Sequence, residues 1–320
     1  METESSSSTT TLSLAGARRR IVAFVIDALI LMLIGEVLGR WYGDWFARLG
    51  VWGHLVGFVI AAAYFAVLDS RSGTIGKLAL GLRVVDAQGR AISMLRALWR
   101  FLPLGVPYFI NGMVLPDWDD RVLNSVPLSA LVFGIGLCGA YLLLFNRATH
   151  QALHDLLAGT YVMARNGPAR RPFWHGHWIV CLALLLVTGA GPATLMRATS
   201  QSGSGTLDAI QTALAAQPWV ADARVLHGAR RYLSFGGATT LHVLALSVDV
   251  RDGDVDEPIR FSQAARTALI YLDDPNAVDV IAVTLRSGYD IGIAHDEREH
   301  LEVHSVAEWR QQVGPAGYQI

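Results

Sequence analysis

Over its first 200 positions the chain alternates long apolar runs with short polar stretches, and beyond them it changes to short mixed segments. Runs at 21–39, 51–68, 125–145 and 174–196 each come close to the roughly 20 predominantly apolar residues that a helix needs to cross a bilayer core. A fifth run, 99–115, is shorter and carries Pro103, Pro107 and Asn111, which kink a spanning helix or leave it in the interface. Counted as a span, it brings the expected number of transmembrane helices to five and puts the termini on opposite sides. After "RATSQSGSG", a flexible linker by composition, the periods shorten. TLDAIQTALAAQ and EPIRFSQAARTALIYL repeat apolar residues at helical spacing, whereas ADARVLHG and TTLHVLALSVDV read as strands. AVDVIAVTLRSGYDIGIA reads as a hairpin turning at Ser287 and Gly288, and EVHSVAEWRQQ adds a strand edge and a short helix.

The fold class expected is an α-helical membrane bundle followed by a soluble α+β domain, whose antiparallel sheet carries its helices on one face. A polar low-complexity tail, 1–14, is too short to bury a core and reads as disordered. A membrane module at 15–165, a last transmembrane helix at 174–196, a linker at 197–205 and the α+β domain at 206–320 complete the organisation.

Composition agrees with a membrane protein: 52% apolar residues and a mean hydropathy of +0.36 exceed what an average soluble enzyme carries, and only 17% of residues are charged. The net charge of −1 hides a strong local asymmetry. Arg18, Arg19 and Arg20 precede the first run, six basic residues from Arg71 to Arg100 separate the second from the third, and Arg147, Arg165, Arg170 and Arg171 separate the fourth from the fifth. The alternate loops hold only Arg40, Arg48 and Arg121. By the positive-inside rule the N-terminus is cytoplasmic and the C-terminal domain extracytoplasmic. The first run is too long for a signal peptide, holds an Asp and lacks a small-residue cleavage site. Cys138 and Cys181 both sit in apolar runs, so neither a disulfide framework nor a zinc cluster is expected.

Candidate chemistry begins in the first span. Arg20 and Asp27 are seven apart, which returns to nearly the same helix face roughly 10 Å further into the membrane. An ionised Asp at that depth costs at least ~2.5 kcal/mol, so it needs a partner helix, a water-filled cavity or a proton. Glu36 lies near the outer end of the same span. Gly35 and Gly39 face Gly53 and Gly57 at similar depth, a spacing that predicts a tight antiparallel packing of the first two spans. "LRVVD" and "RAIS" read as a small cytoplasmic hairpin. Gly76 and Lys77 do not make a phosphate loop, because Arg71 stands where the required glycine would be. His150 and His154, one helical turn apart and next to Asp155, resemble a metal trio only superficially, since Asp155 points about 100° away from His154. No metal or cofactor is expected. His154 and Asp155 read instead as the end of a helix that Gly159 stops before TYVM.

"RRIVAFVID", "GTIGKLALGLRVVDAQGRAIS" and "HQALHDLLAGTYVM" resemble, in order and spacing, the three signatures of the RDD family of bacterial membrane proteins. The arginine and two aspartates of that family's name match Arg20, Asp27 and Asp155. The resemblance covers about 15–165 and leaves the C-terminal domain uncovered. It implies a multi-pass membrane module of the bacterial plasma membrane, for which transport is the usual description.

Two functions follow as expectations. In the first, Arg20, Asp27, Asp155 and His154, with Glu36, form a polar track that carries a small cation, a proton or another small solute. In the second, the spans anchor a binding or assembly scaffold whose external domain recognises a periplasmic or cell-surface protein. The expected partners are the bilayer, the transported ion, an external protein and further copies of the chain in a homo-oligomer. No catalytic constellation appears, so an enzyme is not expected. Nucleic acid is not expected either, since the basic residues follow the membrane-side rule.

Overall fold

The computed structural model describes residues 13–111, 130–164, 172–199, 204–234, 237–272, 274 and 277–314. The chain divides into two compact units, one of 1–41, 51–198 and 290–294, the other of 42–50, 199–289 and 295–320.

The first unit is helical. It contains most of α1 (Ala17–Leu49), then α2 (Gly53–Arg71), the short α3 (Ile75–Ala79), α4 (Met94–Ile110), α5 (Ile135–Phe145), α6 (Leu153–Ala158) and α7 (Gly176–Thr199). Within 17–71 lies the one helical stretch, among the described residues, that is long and apolar enough to cross a membrane; the apolar helices at 130–145 and 176–189 are shorter. The expected third run forms α4, and its helix continues through Pro103 and Pro107 as far as Ile110. The rest of that run and the start of the next fall at 112–129, outside the described residues.

Large apolar side chains cover the outside of this unit. Phe24, Leu33 and Val37 on α1, and Ile179, Leu186 and Val187 on α7, are all more than half exposed. A folded unit in water buries such a surface.

One small sheet ties the unit together at one end. β1 (Leu82–Val85) pairs antiparallel with β2 (Tyr161–Ala164), with Leu82 opposite Ala164 and Val85 opposite Tyr161. This corrects the local hairpin expected between "LRVVD" and "RAIS". Asp86 instead closes a turn, its carboxylate accepting from the N–H groups of Gln88 and Arg90, and the chain then enters α4 at the N-cap Ser93. The non-local strand wins because it buries Leu82, Val84 and Val162 together, which a solvated hairpin cannot do. Leu14 bridges to Met163, so residues 13 and 14, counted above with the disordered tail, are paired.

The second unit contains α8 (Ser204–Ala215), β3 (Val220–Ser234), β4 (Gly237–Val250), α9 (Pro258–Tyr271), β5 (Val280–Asp290), β6 (His295–Ser305) and α10 (Val306–Val313). The sheet order is β3-β4-β5-β6. Alternation on β4 sends Leu244, Leu246, Val248 and Val250 to one face, where Ile281, Val283 and Leu285 of β5 join them. Phe261, Ala264 and Ala268 of α9 and Ile210 and Leu214 of α8 cover that face. Trp309 of α10 is fully buried and donates its indole N–H to the Ile281 carbonyl at 3.0 Å.

Two expectations about this sheet are corrected. β3 and β4 are antiparallel, but β4 and β5 pair parallel, so the sheet is mixed. The α9 crossover returns the chain to the same end of the sheet before β5 starts, which is the route parallel neighbours require. The strand also does not turn at Ser287 and Gly288; β5 runs on to Asp290. A Cβ on Gly288 would collide with the backbone of Asp296 on β6, so this glycine allows a close approach between strands and not a turn.

Candidate functional site

The residues singled out in the sequence gather at the end of the first unit where α1 begins and where α2, α4 and α6 bring their charged residues. Local chemistry builds α6. Its first turn holds Asp155, whose carboxylate accepts the Ala152 N–H at 3.0 Å and so satisfies a donor that the helix leaves open. Gly159, left-handed at φ 61°, ends the helix, and Arg96 donates to the carbonyls of Ala158 and Gly159 at 2.6 and 2.8 Å. Before α6 the chain is irregular. Asn146 binds the Thr149 hydroxyl and the Gln151 carbonyl at 2.7 and 3.0 Å, and Gln151 donates to Thr160. His150 has φ 51° and lies in this loop, so the helical spacing assigned to His150 and His154 does not exist.

Asp155 is the centre of a buried ion-pair network. Its carboxylate accepts from Nη2 of Arg20, from Nε and Nη2 of Arg100 at 3.0 and 2.7 Å, and from Ala152. Arg20 also donates to the His150 carbonyl. Arg100 reaches the other way as well, donating from Nη1 to Asp69 at 2.5 Å. Lys77 completes the chain, with Nζ 2.7 and 2.9 Å from the two Asp69 oxygens and seated over the Phe65 ring. One continuous ladder, Arg20, Asp155, Arg100, Asp69, Lys77, therefore joins α1, α6, α4, α2 and α3.

Asp27 stands in a second cluster. It accepts from the Tyr64 hydroxyl at 2.7 Å, the Thr74 hydroxyl at 2.5 Å and the Gly76 N–H at 2.8 Å. A Cβ on Gly76 would meet the Ala23 carbonyl and come within 3.0 Å of the Asp27 carboxylate, so glycine is what lets α3 approach α1 here. Asp155 is 0% exposed and Asp27 and Asp69 are each 1% exposed; protein donors satisfy all three.

Helix α6 lies at the module boundary, outside the apolar spans, and its titration follows from these contacts. Burial by itself would raise the Asp155 carboxyl, but Arg20 and Arg100 with the Ala152 N–H hold it well below the usual carboxylate range. Burial drives His154 down to about 3, against the pull of Asp155, with Arg100 and Arg20 pushing the same way as burial. His154 is therefore neutral at pH 7. Its Nε2 lies 3.2 Å from Arg100 Nη2, which can only donate, so Nε2 accepts and Nδ1 carries the proton. That Nδ1 is buried and has no hydrogen-bond partner among the described residues.

A cavity of about 220 Å³ lies beside both clusters, with Arg20, Asp27, Asp69, Lys77, Arg100 and His154 in its wall. The single polar track expected from Arg20, Asp27, Asp155 and His154 is thus split in two. Arg20, Asp155 and His154 are brought together, whereas Asp27 takes different partners; Arg20, Asp27 and His154 all line the cavity. Glu36 belongs to neither cluster; it is exposed on α1. Gly35, Gly39, Gly53 and Gly57 are all buried, and for three of them the nearest atoms belong to residues 290–294. A Cβ on Gly35 would meet Ala294 at 2.7 Å, one on Gly53 the Asp290 carbonyl at 2.7 Å, and one on Gly57 the Ile291 carbonyl, all within the same unit. Small-residue spacing marks a smooth groove and says nothing about which segment fills it.

Sequence reasoning missed Asp69 and the role of Arg100. A signal was available: Arg100 sits inside an apolar run and Asp69 ends another, and an ionisable residue in such a run points to a partner. Tyr64, Thr74 and Gly76 gave no signal, because hydroxyls and glycines are ordinary in membrane helices and turns.

Comparison with known proteins places this site in a family context. Residues 14–159 match the RDD family. An uncharacterised protein, YckC of Bacillus subtilis (strain 168), is 32% identical over 92 residues, which are 29% of this chain and 47% of that protein. The chain thus covers about half the length of that relative. No solved structure matches. The matched region contains Arg20, Asp27, Asp69, Lys77, Arg100 and Asp155, and ends where α6 does.

Proposed function

We propose that the chain is a multi-pass protein of the bacterial plasma membrane whose helical module is a rigid anchor for a C-terminal domain that binds an extracytoplasmic partner. Catalysis has no part in this reading. Membrane residence is supported by the RDD match and by the outward apolar faces of α1 and α7. Orientation is supported by the coincidence of two patterns. The three arginine-rich stretches that the positive-inside rule assigns to the cytoplasm, 18–20, 71–100 and 147–171, are those that supply Arg20, Lys77, Arg100 and the α6 network at one end of the module. With the C-terminus on the opposite side of five spans, the domain at 204–314 faces away from the cytoplasm.

One observation carries the choice of anchor over cation conduit. Asp27, Asp69 and Asp155 are each saturated by protein donors, and a permeant cation would have to displace Lys77, an arginine or three hydrogen bonds to reach any of them. Buried carboxylates whose oxygens are all taken up by protein donors fix a structure. Solute transport is the second reading, favoured by the cavity that these groups line.

Cation flux in proteoliposomes decides between the two. Wild type and Asp27→Asn, both verified as folded, are expected to match empty liposomes under Na⁺, K⁺ and proton gradients. Flux in wild type that disappears in Asp27→Asn overturns the anchor reading.

A further inference from the structure

The cavity is not a polar site with an apolar rim; its walls are mostly apolar, and its charged groups sit to one side. Phe24 of α1, Leu104 of α4 and Gly136, Gly139, Ala140 and Leu143 of α5 form the apolar part. The α5 glycines leave space: among the described residues, a Cβ at Gly136 or at Gly139 would meet no atom within 4 Å. A side chain could therefore begin at either position without its Cβ touching a described neighbour, so close helix packing does not by itself require glycine there.

At the other side of the cavity stand Arg20, Lys77, Arg100 and His154. Asp27 and Asp69 line it too, but both are already hydrogen-bonded inside the protein and offer little to a cation. The donors are not exhausted. A guanidinium has five N–H groups and an ammonium three, and Arg100 directs only one bond from Nη1, to Asp69. The neutral His154 presents an Nδ1–H that no atom of the described residues accepts. A buried donor without an acceptor costs about 1–3 kcal/mol, a penalty that a bound acceptor removes. Around this end Arg18, Arg19, Arg71, Arg83 and Arg147 are exposed, with a surplus of positive charge over Asp86. Such a rim concentrates anionic headgroups of the cytoplasmic leaflet.

The geometry points to a binding site for an anionic glycerophospholipid, with one acyl chain in the groove beside Gly136 and Gly139 and the phosphate accepting from the Arg100 and His154 side. The occupant is a lipid because the basic groups adjoin an apolar groove left open by glycine, whereas a free phosphate would use only the polar end. The site rests on the reading of this unit as membrane-embedded.

The test uses the full chain, extracted from membranes in mild detergent and freed of lipid. Retention of added phosphatidylglycerol, phosphatidylcholine of the same chain length and inorganic phosphate is followed by native mass spectrometry. Wild type should hold phosphatidylglycerol at one per chain and phosphatidylcholine about tenfold more weakly, and excess phosphate should not displace the lipid. Gly139→Leu, which fills the groove, should lose phosphatidylglycerol by at least about tenfold, equivalent to about 1.4 kcal/mol. If that variant does not fold, Ala140→Phe fills the same space and should show the same loss. Equal retention of the two lipids, displacement by phosphate, or unchanged binding in a folded groove-filling variant each overturns the site. A chain that fails to fractionate with membranes overturns the membrane reading instead, so the two failures are distinguishable.

Discussion

Breaking the contact between Arg20 and Asp155 tests the ladder most directly, because 134 residues of intervening sequence separate two groups that meet with almost no solvent access. In Asp155→Asn the side chain keeps its size but loses its charge. Arg20 and Arg100 then face an amide that can accept at only one of its two ends. Arg100 retains Asp69, and Arg20 retains the His150 carbonyl, so the loss falls most on Arg20. Removing one partner of a buried pair costs about 3–5 kcal/mol, since it leaves an uncompensated buried charge. At roughly 2–4 °C per kcal/mol for a unit of this size, the melting temperature in detergent should fall by roughly 6–20 °C. Arg20→Gln should cost a similar amount for the converse reason. The double variant should fall short of the sum of the two, with a coupling of about 0.5–3 kcal/mol. Thermal unfolding of the full chain, followed by intrinsic fluorescence across the four members of the cycle, measures all three quantities. Additive effects, or single variants within 2 °C of wild type by the roughly 2–4 °C per kcal/mol scale, would refute the claim that this pair latches α6 to α1.

Three further outcomes follow from the same contacts. Gly76→Ala should destabilise by about 1–3 kcal/mol, the usual cost of overpacking, because its methyl group presses on the Ala23 carbonyl and on Asp27; chemical denaturation of the purified variant checks this. His154 binds its proton less readily when folded than when unfolded, so the unfolded state gains protons first as pH falls from about 6.5 towards 3. Stability should therefore be highest above pH 6.5 and drop by up to about 1.4 kcal/mol per pH unit below it, a slope that His154→Gln should reduce in a series of melts from pH 7.5 to 4.5. Gly159→Ala, forced to a left-handed backbone and set against Arg96 Nη2 at 2.8 Å, should lower stability by about 1 kcal/mol, measurable by the same melts.

Much of the local structure was legible in the sequence. Helical periodicity placed α8 and α9, strict alternation placed β4, and Gly159 marked the end of α6, since each of these depends on residues within a turn or two of one another. Sheet pairing was not legible in the same way. "LRVVD" has a strand's composition whichever partner it takes, and its partner proved to be "YVMA", almost eighty residues on, not "RAIS" next door. Gly288 carried a turn signal and served as a contact point between strands, because composition cannot distinguish a glycine needed for backbone conformation from one needed for clearance.

What the sequence by itself determined is the identity of the charged residues in apolar surroundings: Arg20, Asp27 and Asp155 stand out because an ionised group there is expensive without a partner. The tertiary structure decided the partners. Arg20 and Asp27 share a face of α1, yet one pairs with α6 and the other with Tyr64, Thr74 and Gly76, since electrostatic and hydrogen-bond energies fall off within a few ångströms and only packing brings groups that close. Arg100 and Asp69 entered the network by the same route: sequence spacing fixes the face of a helix, and helix packing fixes what that face meets.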